Sequence, residues 1–516
     1  MDQQRQHCVF RIQKSDREKL ESHIFQRYPA REWGTFFRFG FRRTPWGLAA
    51  CFIGLERPRP GDLDRSSPVT VFRSRYILRA HHIVEDGPFA AGVIHSHPQG
   101  ANTLPSPSDD DMDNYFGEEF SQYGKGKPYV SLIFARTRYG DFRFTGRVFD
   151  GGKWYPVTNL LTVGDELLHE ETQVRHEGSE VENDPLERAA VESTTARLET
   201  LLGRASSRRL SRAKVAVVGC SGTGSPVGHL LARAGIQNLL LVDPQPFAPS
   251  NLERMHGSRF ADAFVIPPLA KVQILARLIR EINPKARIAC IQGNILDDIV
   301  LDALLECDLV LGCTDSQHGR AALGDLASHY LLPSIDVAVA MRAKDGKLKV
   351  QLVEICQHAP DLPCPFCLGR IDQKALSYEL MTEEEHKWRQ EAAEQAQAHE
   401  IDGTQYWGDK PPQELTVGYL TSLAGSMAAG YAENLLTGAA RLPHQRLQFD
   451  VGWTKLGVAL NEKSRRPECS CGRTIGHADQ ARADHSVSRP LHWPAPISFH
   501  DRFQEPNRPN WLRRKR

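Results

Sequence analysis

One stretch of the chain, residues 214–243, reads KVAVVGCSGTGSPVGHLLARAGIQNLLLVD. It begins with a short apolar run, passes through a glycine-rich turn, continues as an apolar helical pattern to Ala234 and ends in a second apolar run closed by Asp243. The later runs ARIACIQG and DLVLGCTD repeat the strand pattern. This alternation of strands and helices predicts an α/β domain with a parallel, doubly wound sheet.

The glycine-rich turn predicts a phosphate site. Gly219, Gly222 and Gly224 follow the first strand and open a helix, so backbone amides and the positive end of the helix can face phosphate groups. Their GxxGxG spacing differs from the GxGxxG of the usual dinucleotide fingerprint, which argues against a nicotinamide-dependent oxidoreductase. Asp243 ends the next strand, where an acid that binds ribose is expected.

Further polar residues fit a nucleoside triphosphate. Asn251, Arg254 and Lys271 supply an amide and two cations, and Asp315 ends a later strand. Cations neutralise phosphate charge, and a carboxylate at a strand end is a ligand that Mg²⁺ accepts. Each residue taken alone could equally be a surface cation or a capping acid. In this order they favour ATP with magnesium.

From Arg197 to Cys471 the sequence resembles the ThiF/MoeB family, the adenylyltransferase core shared with ubiquitin-activating enzymes. The glycine turn, LVDPQPFAPSNLER, the lysine of LAKVQ, CTDS and a late cysteine pair carry the resemblance. It implies a Rossmann-like adenylation domain that activates the C-terminal glycine of a ubiquitin-like protein with ATP. It also implies a homodimer in which Arg197 reaches the nucleotide of the partner subunit.

The resemblance assigns roles to the polar residues by their positions. It implies that Asp243 binds ribose, that Asn251, Arg254 and Lys271 hold the phosphates, and that Asp315 binds Mg²⁺. In the implied reaction the modifier's carboxylate attacks the α-phosphate and pyrophosphate leaves, so positioning and electrostatic stabilisation supply most of the catalysis.

Four cysteines form two close pairs, Cys364 with Cys367 in CPFC and Cys469 with Cys471 in CSC. Four thiolates are enough for a tetrahedral structural zinc site. The alternative is four unrelated buried thiols.

A nucleophilic cysteine is missing where the resemblance would place one. Related enzymes that form a thioester carry a cysteine between the first zinc pair and the late helix, but residues 368–468 contain none. The remaining cysteines of this domain lie in or beside predicted strands, where a small buried hydrophobe is expected. We therefore expect adenylation without a thioester, with Cys356 as the fallback nucleophile.

The first 150 residues have a different character. The runs TFFRFGF, LAACFIGL, VTVFRSRYIL, AGVIHSH and YVSLIFART are separated by Pro, Gly and Asp, which predicts one α+β domain of short strands.

Possible metal ligands follow the strand AGVI. His95 and His97 are two residues apart and therefore point to the same face of a strand end. An SxxD pattern ends at Asp109, and an overlapping one ends at Asp111. Two histidines, one aspartate and a water make an open catalytic zinc site. Both aspartates stay candidates for the third ligand, and we favour Asp109.

A catalytic zinc site also needs a carboxylate that takes a proton from water. Glu32 in REWGTFFRFG is the candidate, and Glu56 in FIGLERP is the alternative. The arrangement resembles the JAMM (MPN) metalloprotease family over about residues 20–148. It implies that the two histidines and the aspartate bind zinc, that Glu32 activates water and that Ser106 stabilises the oxyanion.

With 516 residues, of which 41% are hydrophobic and 25% charged, the chain is expected to hold several globular domains. We predict a JAMM-like domain, an acidic linker, an adenylation domain and a flexible basic tail, at residues 1–150, 151–195, 196–472 and 473–516. The N-terminus lacks a signal-peptide core and no stretch of about 18 apolar residues occurs. A cytoplasmic protein with neither a membrane nor nucleic acid as partner is expected.

Both parts point to the same substrate class, because one activates a modifier's C-terminal glycine and the other cuts beside it. The combination resembles bacterial ubiquitin-like modification systems, which implies a ubiquitin-like protein and a conjugating-enzyme-like protein as partners. Two alternatives stay open. One is activation of a sulfur-carrier protein in cofactor biosynthesis, and the other is a scaffold with degenerate sites.

Overall fold

The computed structural model describes residues 6–27, 29–64, 69–172, 195–398, 416–440, 444–452, 457–460, 464–481 and 487–499. The chain divides into two compact units. The first unit comprises Met1–Pro185, Ala327–Leu332 and Ser470–Ala483, and the second comprises Leu186–Leu326, Pro333–Cys469 and Asp484–Arg516.

Among its described residues, the stretch from residue 6 to residue 172 of the first unit forms one mixed sheet and three helices. Its strands are β1 His7–Gln13, β2 Gly34–Thr44, β3 Gly47–Glu56, β4 Ala90–Ser96, β5 Tyr129–Arg136, β6 Phe142–Asp150, β7 Lys153–Val163 and β8 Leu167–Glu171, and its helices are α1 Lys14–Ile24, α2 Ser74–Asp86 and α3 Pro107–Tyr123. The strand order is β1-β3-β2-β4-β5-β6-β7-β8, and β1 also pairs with β7, so the sheet closes on itself.

Alternation along β2 divides the core of this unit. Phe37 and Phe39 point into a cluster enclosed by the closed sheet, whereas Phe36 points into a second cluster under α2 and α3 with Tyr76 and Phe116. Successive side chains of a strand face opposite sides, so one strand supplies both clusters.

Three regions differ from the sequence prediction. The predicted strand VTVFRSRYIL contributes its second half to helix α2, because Tyr76, Ala80 and Val84 recur at helical spacing and bury together. Residues 153–171, predicted as linker, form β7 and β8. The buried Val157 and Leu160 of β7 complete the closed sheet, and the acidic composition that suggested a linker begins only after them.

The predicted flexible tail is also structured in part. Gln480 exchanges two hydrogen bonds with the backbone of Phe41, at 2.9 and 3.0 Å. Ile497–Phe499 forms strand β17, which adds to the sheet of the second unit. Residues 500–516 lie outside the described part of the chain.

Residues 195–499 carry the elements of a second sheet. Its remaining strands are β9 Lys214–Val218, β10 Asn238–Val242, β11 Arg287–Gln292, β12 Leu309–Gly312, β13 Ser334–Lys344, β14 Lys347–His358, β15 Arg446–Asp450 and β16 Gly457–Leu460. Its helices are α4 Ala196–Arg212, α5 Gly224–Arg233, α6 Lys271–Ile282, α7 Asp298–Leu304, α8 Gln317–His329, α9 Gln373–Glu379, α10 Glu383–Ala398 and α11 Gly418–Thr437.

The order of this sheet is β16-β15-β14-β13-β12-β9-β10-β11-β17. The pairs β9–β10, β10–β11, β9–β12 and β12–β13 are parallel, which confirms the predicted Rossmann-like α/β architecture. The chain runs from β9 toward β11 and then returns to place β12 on the other side of β9. Such a reversal opens a crevice at the carboxyl ends of the strands, where ligands of doubly wound sheets bind.

Helix α11 is rich in small residues, as the sequence indicated, and it packs closely on the start of α5. A Cβ atom at Gly425 would stand 2.6 Å from Pro226. None of the helices among the described residues is both long enough and apolar enough to cross a membrane.

Two glycine substitutions test the packing of the second unit. We expect Gly224→Ala to lower the free energy of unfolding by about 2–3 kcal/mol, because its Cβ would lie 1.7 Å from the carbonyl oxygen of Gly219. The matched control Gly430→Ala, on an exposed face of α11 with nothing within 4 Å, should stabilise the chain by about 0.5–1 kcal/mol. Thermal melting followed by circular dichroism measures both. Equal melting temperatures for the two variants would contradict the close approach.

Candidate functional site

A cavity of about 640 Å³ lies at the carboxyl ends of β9, β10, β11 and β12. Most of the residues predicted to bind the nucleotide line it: Gly219, Gly222, Asp243, Asn251, Arg254, Lys271 and Asp315. Residues spread over almost one hundred positions of sequence therefore meet at the switch point of the sheet. Gly224 stands behind this surface, as the first residue of α5.

The glycines of the turn bring backbone, without side chains of their own, to the floor of the cavity. Gly219 has a φ of +90°, a conformation that favours glycine, and its Cβ would lie 2.5 Å from the carbonyl oxygen of Cys313. At Gly222 a Cβ would lie 3.0 Å from Cδ of Arg254. The turn thus lets Arg254 approach and leaves backbone amides available to an anion.

Asp243 is fixed by the backbone around it. Its Oδ2 accepts from the amide of Cys220 and its Oδ1 from the amide of Gln245, both at 2.8 Å. Burial raises the pKa of Asp243, and the positive charge of Lys271 and the two amide hydrogen bonds offset only part of that rise. Each carboxylate oxygen can accept further hydrogen bonds, so the group can bind ribose hydroxyls while it holds the turn.

The cationic wall of the cavity comes from α6 and the segment before it. Lys271 is the first residue of α6 and is buried, and its Nζ donates to Oε1 of Gln245 at 2.6 Å. Asn251 is buried and its Oδ1 accepts from the amide of Ala248 at 3.0 Å. Arg254 pairs with Glu253 at 3.1 Å. The exposed Asp315 stands among these lining residues.

Arg197 does not belong to this cavity within one chain. It is exposed near the start of α4 and is absent from the residues that line the cavity. Gly203 interrupts α4 with a φ of 82° and a ψ of 160°. The predicted action of Arg197 on a partner's nucleotide stays a prediction.

Sequence reasoning missed a second set of cavity residues, namely Gln245, Asn294, Thr314, Ser316, His318 and Arg320. They follow β10, β11 and β12 within a few positions. Their position just beyond the carboxyl end of a parallel strand could have identified them. That criterion would have to be used for every strand, and not only for the strands that carry a family motif.

The four paired cysteines meet as predicted. One sulfur from each of Cys364, Cys367, Cys469 and Cys471 lies within 4.8 Å of the others, and all four residues are buried. Four converging thiols are the donor set of a closed structural zinc site, so the residues fit that metal.

The other cysteines do not offer a nucleophile. Cys356 is fully buried in β14, and burial raises the pKa of its thiol to about 12, so the structure does not support Cys356 as the fallback nucleophile. Cys313 lines the cavity, but burial raises its pKa well above the usual value. A thiol that stays protonated at neutral pH attacks poorly.

In the first unit, His95, His97 and Asp109 form a buried cluster, with one possible ligand atom from each within 4.8 Å of the others. Nε2 of His95 lies 3.2 Å from Oδ1 of Asp109, and Nε2 of His97 lies 3.5 Å from Oδ2. Nδ1 of His97 lies 2.8 Å from the carbonyl oxygen of Asn102. A backbone carbonyl on the far nitrogen is the usual support for a metal-binding histidine. Asp111 is exposed.

Electrostatics tie the three side chains together. Burial alone would raise the pKa of Asp109, but hydrogen bonds from His95, His97 and Ser106 hold it well below its usual value. Burial would lower the pKa of His97, yet its contacts with Asp109 and Asn102 and the negative charge of Glu32 raise it.

The predicted helpers lie around this cluster. Ser106 caps α3, and both its backbone N and its Oγ lie 2.7 Å from Oδ2 of Asp109. Glu32 is half-buried and lies two residues before Gly34, which pairs with His95 across the sheet. Its Oε2 accepts a hydrogen bond from the amide of Thr70 at 3.2 Å.

The alternative carboxylate, Glu56, forms an ion pair with Arg38 at 2.6 Å. The predicted roles of Glu32 and Ser106 in catalysis stay predictions.

Comparison with known proteins identifies relatives of the second half of the chain. The profile described as ThiF family matches residues 194–471, more than half of the chain. Molybdopterin-synthase adenylyltransferase of Escherichia coli is 32% identical over 164 residues, 31% of this chain and 61% of that protein. Adenylyltransferase and sulfurtransferase uba4 of Emericella nidulans is 32% identical over 144 residues, 28% of each chain. The chain thus spans less than two thirds of these curated relatives.

Among solved structures, E. coli MccB with MccA-N7isoASN is 18% identical with a TM-score of 0.41, covering 56% of this chain and 75% of that one.

The cysteine cluster generates a test by metal content. We expect Cys469→Ser to lose about one equivalent of zinc per chain and several degrees of melting temperature, because one of four thiolates is removed. The matched control is Cys307→Ser, a buried cysteine outside the cluster, which should keep the zinc. Inductively coupled plasma mass spectrometry of the purified chains measures the metal. The same zinc content in both variants would contradict the site.

Proposed function

Because the chain belongs to the ThiF family, we propose that it uses ATP to adenylate the C-terminal carboxylate of a ubiquitin-like protein. One observation carries the proposal: a glycine turn, an acid for ribose, two cations, an amide and a strand-end acid all line one cavity at the switch point of the sheet. Nicotinamide chemistry would need neither the two cations nor the exposed Asp315.

Each residue has a distinct role in the proposed step. Asp243 binds the ribose hydroxyls, and the amides of the glycine turn with Arg254 and Lys271 hold the phosphates. Asn251 adds an amide, and Asp315 would hold Mg²⁺, which neutralises charge on the phosphates. An oxygen of the modifier's carboxylate attacks the α-phosphorus, the bond to the β-phosphate breaks and pyrophosphate leaves. No proton has to move in this step.

The cavity also suits a substrate that inserts a narrow, extended chain terminus. Val337, Ala338 and Val339 of β13 line the same cavity as Asp315, so we propose that a chain terminus approaches the nucleotide along this strand. The similarity to a molybdopterin-synthase adenylyltransferase and to an adenylyltransferase and sulfurtransferase favours activation of a sulfur carrier as the second candidate. Both candidates share the adenylation step.

We propose a homodimer as the active form. Arg197 is exposed and does not line the cavity of its own chain, which supports action on the nucleotide of the partner subunit. We further propose that the first unit is a JAMM-like processing domain and that residues from about 196 onward hold the adenylation domain.

The peptidase proposal rests on the cluster of His95, His97 and Asp109. Two imidazoles and a carboxylate converge in a buried site and leave a fourth position open, which fits zinc. When bound, zinc would lower the pKa of water and polarise a scissile carbonyl. The negative charge of Glu32 raises the pKa of His97. In the proposed reaction the carboxylate of Glu32 takes up a proton from water and returns it to the leaving amine.

Pyrophosphate exchange tests the adenylation proposal. With ATP and ubiquitin-fold proteins that end in Gly-Gly, we expect Asp315→Asn to lower exchange at least about 100-fold, because a ligand for the metal on the phosphates is lost. Asp345→Asn, an exposed aspartate at the β13–β14 turn with a φ of 54° that asparagine tolerates, is the matched control and should exchange normally. No exchange by the wild type with any such protein would reject the proposal.

Cleavage of a ubiquitin-fold protein from a C-terminal fusion tests the peptidase proposal. We expect Asp109→Asn to abolish cleavage, since it removes a zinc ligand, while the exposed neighbour Asp111→Asn retains it. Cleavage by the wild type should stop with 1,10-phenanthroline and return with added zinc. Loss of cleavage in Asp111→Asn but not in Asp109→Asn would show that the ligand set is wrong.

A further inference from the structure

A carboxylate and an imidazole are paired at the wall of the nucleotide cavity, three residues after Asp315. Nδ1 of His318 lies 2.8 Å from Oε2 of Glu379 in α9. His318 lines the cavity, whereas Glu379 lies behind it. We propose that His318, oriented by Glu379, is a general base. It accepts the proton that a primary amine loses when the amine takes over the adenylated carboxyl group. This inference rests on the proposed adenylation.

Glu379 is held firmly in place. Its two oxygens accept from the backbone amides of Gln317 at 2.8 Å and His318 at 3.0 Å, at the start of α8. Burial would raise the pKa of Glu379, but these bonds and its bond with His318 lower it. The carboxylate is therefore ionised at neutral pH, and it favours the tautomer in which His318 carries its proton on Nδ1.

The other nitrogen of His318 is consequently the one with a lone pair. Nε2 lies 3.1 Å from Nδ2 of Asn294. The orientation of that amide is fixed, because Oδ1 of Asn294 accepts from the backbone amide of Leu296 at 3.1 Å. An amide NH₂ group can only donate, so Nε2 accepts. The network thus favours the tautomer of the neutral imidazole whose lone pair is on Nε2. In the proposed transfer the incoming amine takes the place of the Asn294 amide at this lone pair.

The ring is also held against rotation. The rings of His318 and Trp493 lie 4.9 Å apart at 56°, and Arg489 donates to the carbonyl oxygen of Trp493 at 2.7 Å. Nε2 therefore keeps its direction toward Ser316, whose Oγ is 3.3 Å away. Ser316 and Asn294 both line the cavity.

The hydroxyl of Ser316 is occupied as a helix cap. Its oxygen lies 3.1 Å from the amide of Gly319, which donates to it, and 2.9 Å from Oγ1 of Thr314. An oxygen that already accepts a hydrogen bond from the amide of Gly319 is a weaker nucleophile. We assign Ser316 as a positioning residue for the imidazole, and the attacking group as one that the acceptor brings.

Only the second half-reaction needs a base. The carboxylate that attacks ATP carries no proton, but an amine that forms an amide must lose one. The amine nitrogen bonds to the carbonyl carbon of the acyl adenylate, the bond from that carbon to the phosphate oxygen breaks, AMP leaves as an anion, and the proton goes to Nε2 of His318. The cysteines near the cavity have raised pKa values, so direct transfer to an external amine fits the site better than a thioester.

The experiment compares two acceptors after adenylation of a synthetic peptide that ends in Gly-Gly. The amines of free lysine are protonated at neutral pH and need a base before they can attack. Hydroxylamine is already neutral at this pH, and it can lose its proton to solvent after it has attacked. For His318→Ala we expect lysine-amide formation to fall about 100-fold more than pyrophosphate exchange does. Hydroxamate formation should fall no more than exchange, and added imidazole should restore part of the lysine transfer.

A second pair of variants separates orientation from helix capping. Glu379→Gln retains a carbonyl oxygen for the helix start and removes the charge, so lysine transfer should fall about 10-fold relative to exchange. Glu384→Gln, an exposed glutamate of α10, is the matched control and should behave like the wild type.

Three outcomes would overturn the inference. Lysine transfer by His318→Ala at the rate of the wild type would remove the base. An equal fall of exchange, hydroxamate formation and lysine transfer would make His318 a structural residue. Failure of the wild type to exchange pyrophosphate would reject the proposed function and this inference together, and it is distinguished from the first two because exchange is measured separately.

Discussion

The close approach of two backbone segments at the end of β9 governs the nucleotide site. Gly219 takes a left-handed conformation against the carbonyl of Cys313, and α5 starts at Gly224 within contact of Gly219. Because no side chain occupies this space, the start of α5, the carboxylate of Asp243 and the guanidinium of Arg254 can share one cavity. The parallel strands then bring the remaining polar residues to the same edge.

Three carboxylates among the described residues have both a structural role and a proposed functional role. Asp243 pins the glycine turn, Glu379 caps α8, and Asp109 caps α3. Each also faces a candidate reacting group: ribose for Asp243, an imidazole for Glu379 and a metal for Asp109. Hydrogen bonds to the backbone fix these side chains before any ligand arrives, so little reorganisation is needed at the moment of reaction.

Local patterns predicted the fold of the second unit well, because β9, α5 and β10 follow each other with short connections and a clear change of period. The motif residues of the cavity were found for the same reason. His318 and Glu379 were not, since their partnership joins positions 61 apart and neither lies in a recognised pattern. In the first unit the β-branched and aromatic residues around the start of α2 led to the wrong prediction of a strand. The burial of Tyr76 and Val84 in a helix outweighed the local strand propensity. The strand β7 was missed since its role depends on closing the sheet with β1.

Strand β17 has a consequence for handling the protein. Ile497–Phe499 pairs antiparallel with β11, which would otherwise be the outermost strand on that side of the sheet. An outer strand offers a row of unpaired amides and carbonyls on which another chain can assemble. The sequence predicted a flexible tail after residue 472, but a truncation there would remove β17 and uncover β11. By pairing with β11, β17 covers the strand edge on which other chains could otherwise assemble.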